Sequence, residues 1–153
     1  MHLLGQEFCD LTWVWLGLLS YTIGSLPTAY IFTRYILGQD IRDLGDNNSG
    51  AANVFRNVGT IAGVAVGAID IIKGSLVVLL AKFLVNDIGM EMMAGGAALV
   101  GHNFPAYLKF RGGRGAPTDV SVLLAAVPRI VLPVAAFFLV LIHITRNALY
   151  PVT

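Results

Sequence analysis

The residues best equipped for chemistry lie in 101–118, GHNFPAYLKFRGGRGAPT, between two strongly apolar segments. The stretch carries His102 and three cations, Lys109, Arg111 and Arg114. Glycines at 112, 113 and 115 let backbone approach a ligand closely and turn N–H groups toward it. Arginine grips phosphate through two parallel hydrogen bonds, and lysine adds a point charge. This is equipment for holding a phosphate at a membrane edge. The competing reading of the same residues is a basic loop that fixes topology and touches lipid headgroups.

A second polar stretch, 38–59 (GQDIRDLGDNNSGAANVFRNVG), holds Arg42 and Arg56 among four asparagines and four glycines. Asparagine and glycine reach left-handed backbone conformations and build anion-binding nests. Long polar connections are functional or disordered. Ile41, Leu44, Val54 and Phe55 punctuate this one, which argues for order. Three further groups sit in apolar surroundings. Ser25 precedes Pro27, which disrupts a helix there; its hydroxyl either back-bonds to its own helix or is presented at the kink. Asp70 and Lys73, at i and i+3, share a helix face where charge costs at least about 2.5–3.5 kcal/mol on insertion scales. They read as a polar bundle interior facing the site, or as a self-neutralising pair. His102, one turn from the basic glycine loop, is a candidate base or a structural hydrogen-bonder.

The elements that position these groups follow from composition. The 153 residues are 56% hydrophobic and 12% charged, against about 45–50% and about 25% in soluble domains. The expected fold is an all-α, polytopic membrane helix bundle forming one integral-membrane domain over 1–153. Spans are expected at about 11–37, 60–85, 92–107 and 119–144, the last broken at Pro128 and Pro133. The loops are then 38–59 and 108–118, with a polar turn over 86–93. Cys9 is the sole cysteine and offers neither disulfide nor cysteine-based metal site. A net charge of +1 with clustered cations gives no case for nucleic acid.

Topology follows from the cations. Arg34, Arg42 and Arg56 with Lys109, Arg111 and Arg114 are six of the ten Lys and Arg. Two spans separate the loops, so both face one compartment, and the positive-inside rule makes it cytoplasmic. The N-terminus is then outside.

In order and spacing, SLPTAY, DIR, GAANVFR, DIIKG and GHNFPAYLKFRGGRG resemble the bacterial membrane acyl-phosphate:glycerol-3-phosphate acyltransferases, over about 60% of the chain. The resemblance implies transfer of a fatty acyl group from acyl phosphate to glycerol 3-phosphate. The product is lysophosphatidic acid for phospholipid synthesis at the bacterial plasma membrane. No metal or coenzyme A is implied; the partners are the two substrates and membrane lipids. Carried across by motif, Ser25, Arg42, Asn48 and Asn53 are catalytic, with His102 beside them. Gly112, Gly113, Arg114 and Gly115 form the phosphate loop, and Lys109, Arg56 and Lys73 join them in substrate binding.

The sequence also departs from the family pattern. Asp46 stands where a small hydroxyl is usual, placing negative charge near a phosphate. Ala52 lacks a hydroxyl, Arg114 replaces a lysine, and Pro117 removes an N–H. A third family motif with histidine, asparagine and glutamate has only His143 and Asn147 as echoes here. The reading is therefore of a shortened, divergent member. Two other readings stay open: a phosphate-binding remnant without turnover, and a small membrane transporter or channel.

Overall fold

The computed structural model describes residues 2–113, 118 and 122–125. These are helical, with no strand among them. Five helices are α1 (His2–Gly24), α2 (Thr28–Leu37), α3 (Ala51–Asn57), α4 (Thr60–Leu84) and α5 (Ile88–Asn103), joined by 3₁₀ turns at Ile41–Asp43 and Ala106–Leu108. The expected break at Pro128/Pro133 and the span over 119–144 lie outside the described residues, as do Arg114, Gly115, Pro117, His143 and Asn147.

The disruption expected at Pro27 divides 11–37 between two helices, α1 and α2, interrupted at 25–27, and two other expected boundaries differ. Pro27 has no N–H to donate and pushes Leu26 away from helical backbone angles. The loop 38–59 is not all loop, because Ala51–Asn57 forms α3. The third helix begins at Ile88, not 92, because Asp87 caps it: its Oδ1 accepts from the Met90 N–H at 2.9 Å. It ends at Asn103 rather than 107, since Pro105 excludes helix just ahead of it. Gly38 closes α2 in the left-handed conformation (φ 69°), and its N–H donates to the Arg34 carbonyl at 3.1 Å.

Helix α4 is inside-out relative to a soluble helix. Its buried stripe, Ala62, Val66, Asp70, Lys73, Val77 and Ala81, recurs every three or four residues and contains both charges. The opposite face exposes Ile61 and Phe83, each 87% accessible, with Ile72 and Leu76 between. This 25-residue helix, of mean hydropathy 2.1 over its apolar window, is long and apolar enough to cross a membrane. Helices α1 and α5 run alongside each other in near-contact of backbones. A methyl added at Gly24 would strike the Ala98 backbone, and one at Gly101 would strike the Tyr21 carbonyl. Small residues are what such packing requires.

The packing sorts the chain into two ends. Trp13 lies beside Gly89, and Leu16 packs with Met90 and Ala94, at the end holding the 85–87 turn. At the other end Ile41 and Val54 pack with Ala29, Ala62 and Val66. Both basic stretches meet there.

Candidate active site

The first loop is built around Asn53. This side chain is fully buried. Its amide nitrogen lies 3.1, 2.9 and 2.8 Å from the carbonyls of Ile41, Leu44 and Asn48, to which it donates. Its oxygen accepts from the Asp46 N–H at 3.2 Å and from Asn57 Nδ2 at 2.8 Å. One asparagine thus replaces regular structure for a segment that has none. Asn48 closes a smaller turn, its Oδ1 accepting from the Gly50 N–H at 2.7 Å.

Arg42 is held from two sides. Its Nε donates to Asp40 Oδ1 at 3.0 Å and its Nη2 to Asp40 Oδ2 at 2.5 Å, a fork on one carboxylate. Its Nη1 donates across to the Leu108 carbonyl at 2.9 Å, tying the first loop to the second. The Arg42 guanidinium beside Asp40 holds that carboxyl below the usual carboxylate range, and the same hydrogen bonds raise the pKa of Arg42. A second link lies nearby, where the Ser49 N–H donates to the Gly112 carbonyl at 3.4 Å.

Between the loops opens a cleft of about 650 Å³, lined by Arg42, Lys109 and Arg111 with Asp40, Asp43 and Asn47 among its walls. Lys109 and Phe110 both adopt left-handed backbone (φ 54° and 62°). Such non-glycine conformations cost on the order of 1–3 kcal/mol each and gather at functional sites. Here they turn the chain so that Lys109 and Arg111 face the cleft opposite Arg42.

The glycines of the second motif serve differently from the expectation. The Gly112 N–H donates to the Asn103 carbonyl at 3.1 Å, and the Gly113 N–H to the His102 carbonyl at 3.2 Å. These amides satisfy the carbonyls at the end of α5 and do not point into an anion nest. Lack of a side chain matters for approach: a methyl at Gly112 would strike those same carbonyls, and one at Gly113 would strike His102 Nε2.

Beneath this loop lies a buried polar cluster. Asp70 Oδ1 accepts from the Thr28 hydroxyl at 2.8 Å and pairs with Lys73 Nζ at 2.9 Å. His102 Nδ1 stands 3.8 Å from the same oxygen. Ser25 is buried beside Gly101. Among the described residues, neither its hydroxyl nor His102 Nε2 has a hydrogen-bond partner.

The twelve expected site residues therefore divide. Arg42 and Lys109 line the cleft. Ser25, His102 and Lys73 are buried below it, with Gly112 and Gly113 as the layer between. Asn48 and Asn53 frame the first loop. Two of the residues expected to bind substrate do not line the cleft. Lys73 is 4% exposed and donates inward to the Leu26 carbonyl at 3.2 Å, because a buried ammonium must find acceptors. Arg56 lies on the outer side of α3, paired with Asp46, whose charge draws it away from the cleft. Arg114 and Gly115 lie outside the described residues. Asp40 and Thr28, which hold Arg42 and Asp70, were not singled out from the sequence. An aspartate two before an arginine, in a capping turn, is the signal that would have identified Asp40.

Among the described residues, an all-helical bundle with an inside-out helix fits the class of integral-membrane proteins, with a cationic cleft at one end. Residues 14–150 match the model of the glycerol-3-phosphate acyltransferase family, and the chain belongs to that family. It is 42% identical over 130 residues to a glycerol-3-phosphate acyltransferase of Thermoanaerobacter sp. (strain X514), covering 85% of this chain and 65% of that one. A relative from Clostridioides difficile (strain 630) is 36% identical over 140 residues, covering 88% and 69%. The crystal structure of PlsY (YgiH), an integral membrane glycerol 3-phosphate acyltransferase in its glycerol 3-phosphate form, superposes with a TM-score of 0.76 at 28% identity. That match covers 86% of this chain and 66% of PlsY. The lysophosphatidic acid form superposes at 0.72. The chain thus spans slightly less than two thirds of the Thermoanaerobacter and PlsY chains.

Proposed function

We propose that the protein transfers a fatty acyl group from acyl phosphate to the 1-hydroxyl of glycerol 3-phosphate, releasing phosphate and lysophosphatidic acid for phospholipid synthesis. The observation that carries this reading is the cleft in which Arg42 of one loop and Lys109 and Arg111 of the other converge. Three cations against Asp40 and Asp43 leave a local excess of positive charge, suited to a phosphate dianion. Membership of the acyltransferase family and the glycerol 3-phosphate form of the solved relative support the choice of substrate.

Acyl phosphate carries its own leaving group, so positioning and charge stabilisation suffice for most of the barrier. The hydroxyl oxygen forms a bond to the acyl carbon as the bond from that carbon to the phosphate oxygen breaks. The proton passes to His102 or to a phosphate oxygen. Arg42, Lys109 and Arg111 hold phosphate, and Arg114 adds a further cation to the same motif. Ser25 and His102 lie buried beneath the Gly112–Gly113 layer under the cleft. Asn48 and Asn53 shape the loop that carries Arg42. The spans lie in the bacterial plasma membrane with the motif loops cytoplasmic and the N-terminus outside. The meeting of both basic loops at one end of the bundle supports that orientation.

The test is purified protein in lipid, given acyl phosphate and labelled glycerol 3-phosphate. Labelled lysophosphatidic acid should form, and Arg42→Ala and Arg114→Ala should each reduce its rate. Glycerol 3-phosphate binding without product would contradict the transferase reading.

A further inference from the structure

The buried ion pair of α4 has contacts that no self-neutralising pair requires. At 25–27 the chain leaves helical conformation, and side chains of α4 reach the residues that flank Pro27. The Leu26 carbonyl accepts from Lys73 Nζ at 3.2 Å, and the Thr28 hydroxyl donates to Asp70 Oδ1 at 2.8 Å. One residue on each side of Pro27 is therefore held by one member of the pair. The pair itself closes at 2.9 Å, and His102 of α5 approaches the same carboxylate oxygen at 3.8 Å. The break, α4 and α5 thus converge on a single oxygen atom. Asp70 is 1% exposed and Lys73 4%, and neither lines the cleft.

We propose that Asp70 and Lys73 form a clamp on the interrupted helix, through which Thr28 and Leu26 fix Ser25, and His102 is held, beneath the Gly112–Gly113 loop. Both are positioning residues, acting through Ser25 and His102 and touching no substrate. The clamp adds side-chain bonds on both sides of Pro27, at a point where the backbone has no N–H of its own to give. In an environment without water, no solvent molecule would replace it, so its loss lets the break shift. The role of Ser25 and His102 in turnover rests on the acyltransferase reading; the clamp itself does not.

Two measurements test it. In the first, Ser25→Cys is introduced with Cys9→Ser, and thiol labelling is timed with Thr28 intact or changed. The buried thiol should label slowly with Thr28 intact. Thr28→Val, which removes the bond to Asp70 without altering charge, should speed labelling by about 10-fold, and Thr28→Ser should not. Equal labelling in all three overturns the clamp, whether or not the protein turns over acyl phosphate. In the second, Thr28→Val and Lys73→Met are assayed in otherwise native protein. Displacement of the reacting groups should lower kcat by on the order of 100-fold, with the KM for glycerol 3-phosphate within about 2-fold of native. A rise in KM with kcat retained would make Lys73 a substrate ligand and overturn the proposal. If Lys73→Met does not fold, the two Thr28 variants decide the question. An intact protein without turnover refutes the acyltransferase reading and leaves the labelling result to judge the clamp.

Discussion

The interior cluster and the loop surface hold ion pairs of the same chemistry and different consequence. Asp70 and Lys73 pair at 2.9 Å with almost no exposure, whereas Asp46 and Arg56 are 44% and 53% exposed. Asp40 and Arg42 lie between, at 21% and 24%. Interaction strength rises as water is withdrawn, but so does the cost of leaving either partner alone. The gradient separates three duties. The buried pair fixes backbone, the intermediate pair aims a guanidinium into the cleft, and the exposed pair occupies a cation outside it.

The sharpest way to break this ordering is at the buried pair. Lys73→Met leaves Asp70 uncompensated and should destabilise the protein by about 3–5 kcal/mol, read as thermal unfolding in detergent. Replacing both partners, Asp70→Asn with Lys73→Met, should recover much of that loss. A smaller effect is expected at the layer between the two regions. Gly112→Ala drives a methyl into the carbonyls ending α5 and should cost about 1–3 kcal/mol in the same measurement, together with most activity.

The intermediate pair should respond to pH in a particular sense. Hydrogen bonding to Arg42 lowers the Asp40 pKa from its ordinary 3.8, so the stabilisation is present above that value and lost as pH falls through the lower folded pKa. The ratio of glycerol 3-phosphate affinities between the native protein and Asp40→Asn should therefore stay constant from about pH 8 to pH 5. A step in that ratio would mean the carboxyl is not held by Arg42. The smallest effect belongs to the surface. Asp46→Ala should change stability by about 0–1 kcal/mol and leave kcat within about 2-fold of native, since the pair is solvated and lies away from the cleft.

How far the sequence reaches follows the same division. Helix α4 was legible because a long apolar segment with two charges at i and i+3 has few other forms. The break at Pro27 was legible from a missing N–H. The start of α5 was not, because Asp87 and Glu91 resemble a polar turn unless Asp87 is read as a cap. Which cations bind substrate was the least legible feature. The Arg42 bond to Leu108 spans 66 residues of sequence and the Thr28 bond to Asp70 spans 42. Composition assigns charge to a region, and only packing assigns it a partner. Arg56 and Lys73 are two residues whose partners, Asp46 and Asp70 with the Leu26 carbonyl, packing shows. The glycines of the second motif make the same point: they were read for close approach and for N–H groups, and the Gly112 and Gly113 N–H groups go to the carbonyls of Asn103 and His102.

In the proposed function the two loops, joined through Arg42, form one phosphate-binding cleft. Calorimetric titration of glycerol 3-phosphate into the native protein and into Arg42→Ala tests it directly. Removing a charged hydrogen-bond donor together with the bridge to Leu108 should weaken binding by about 10- to 100-fold. Equal affinity in the two proteins would contradict the account.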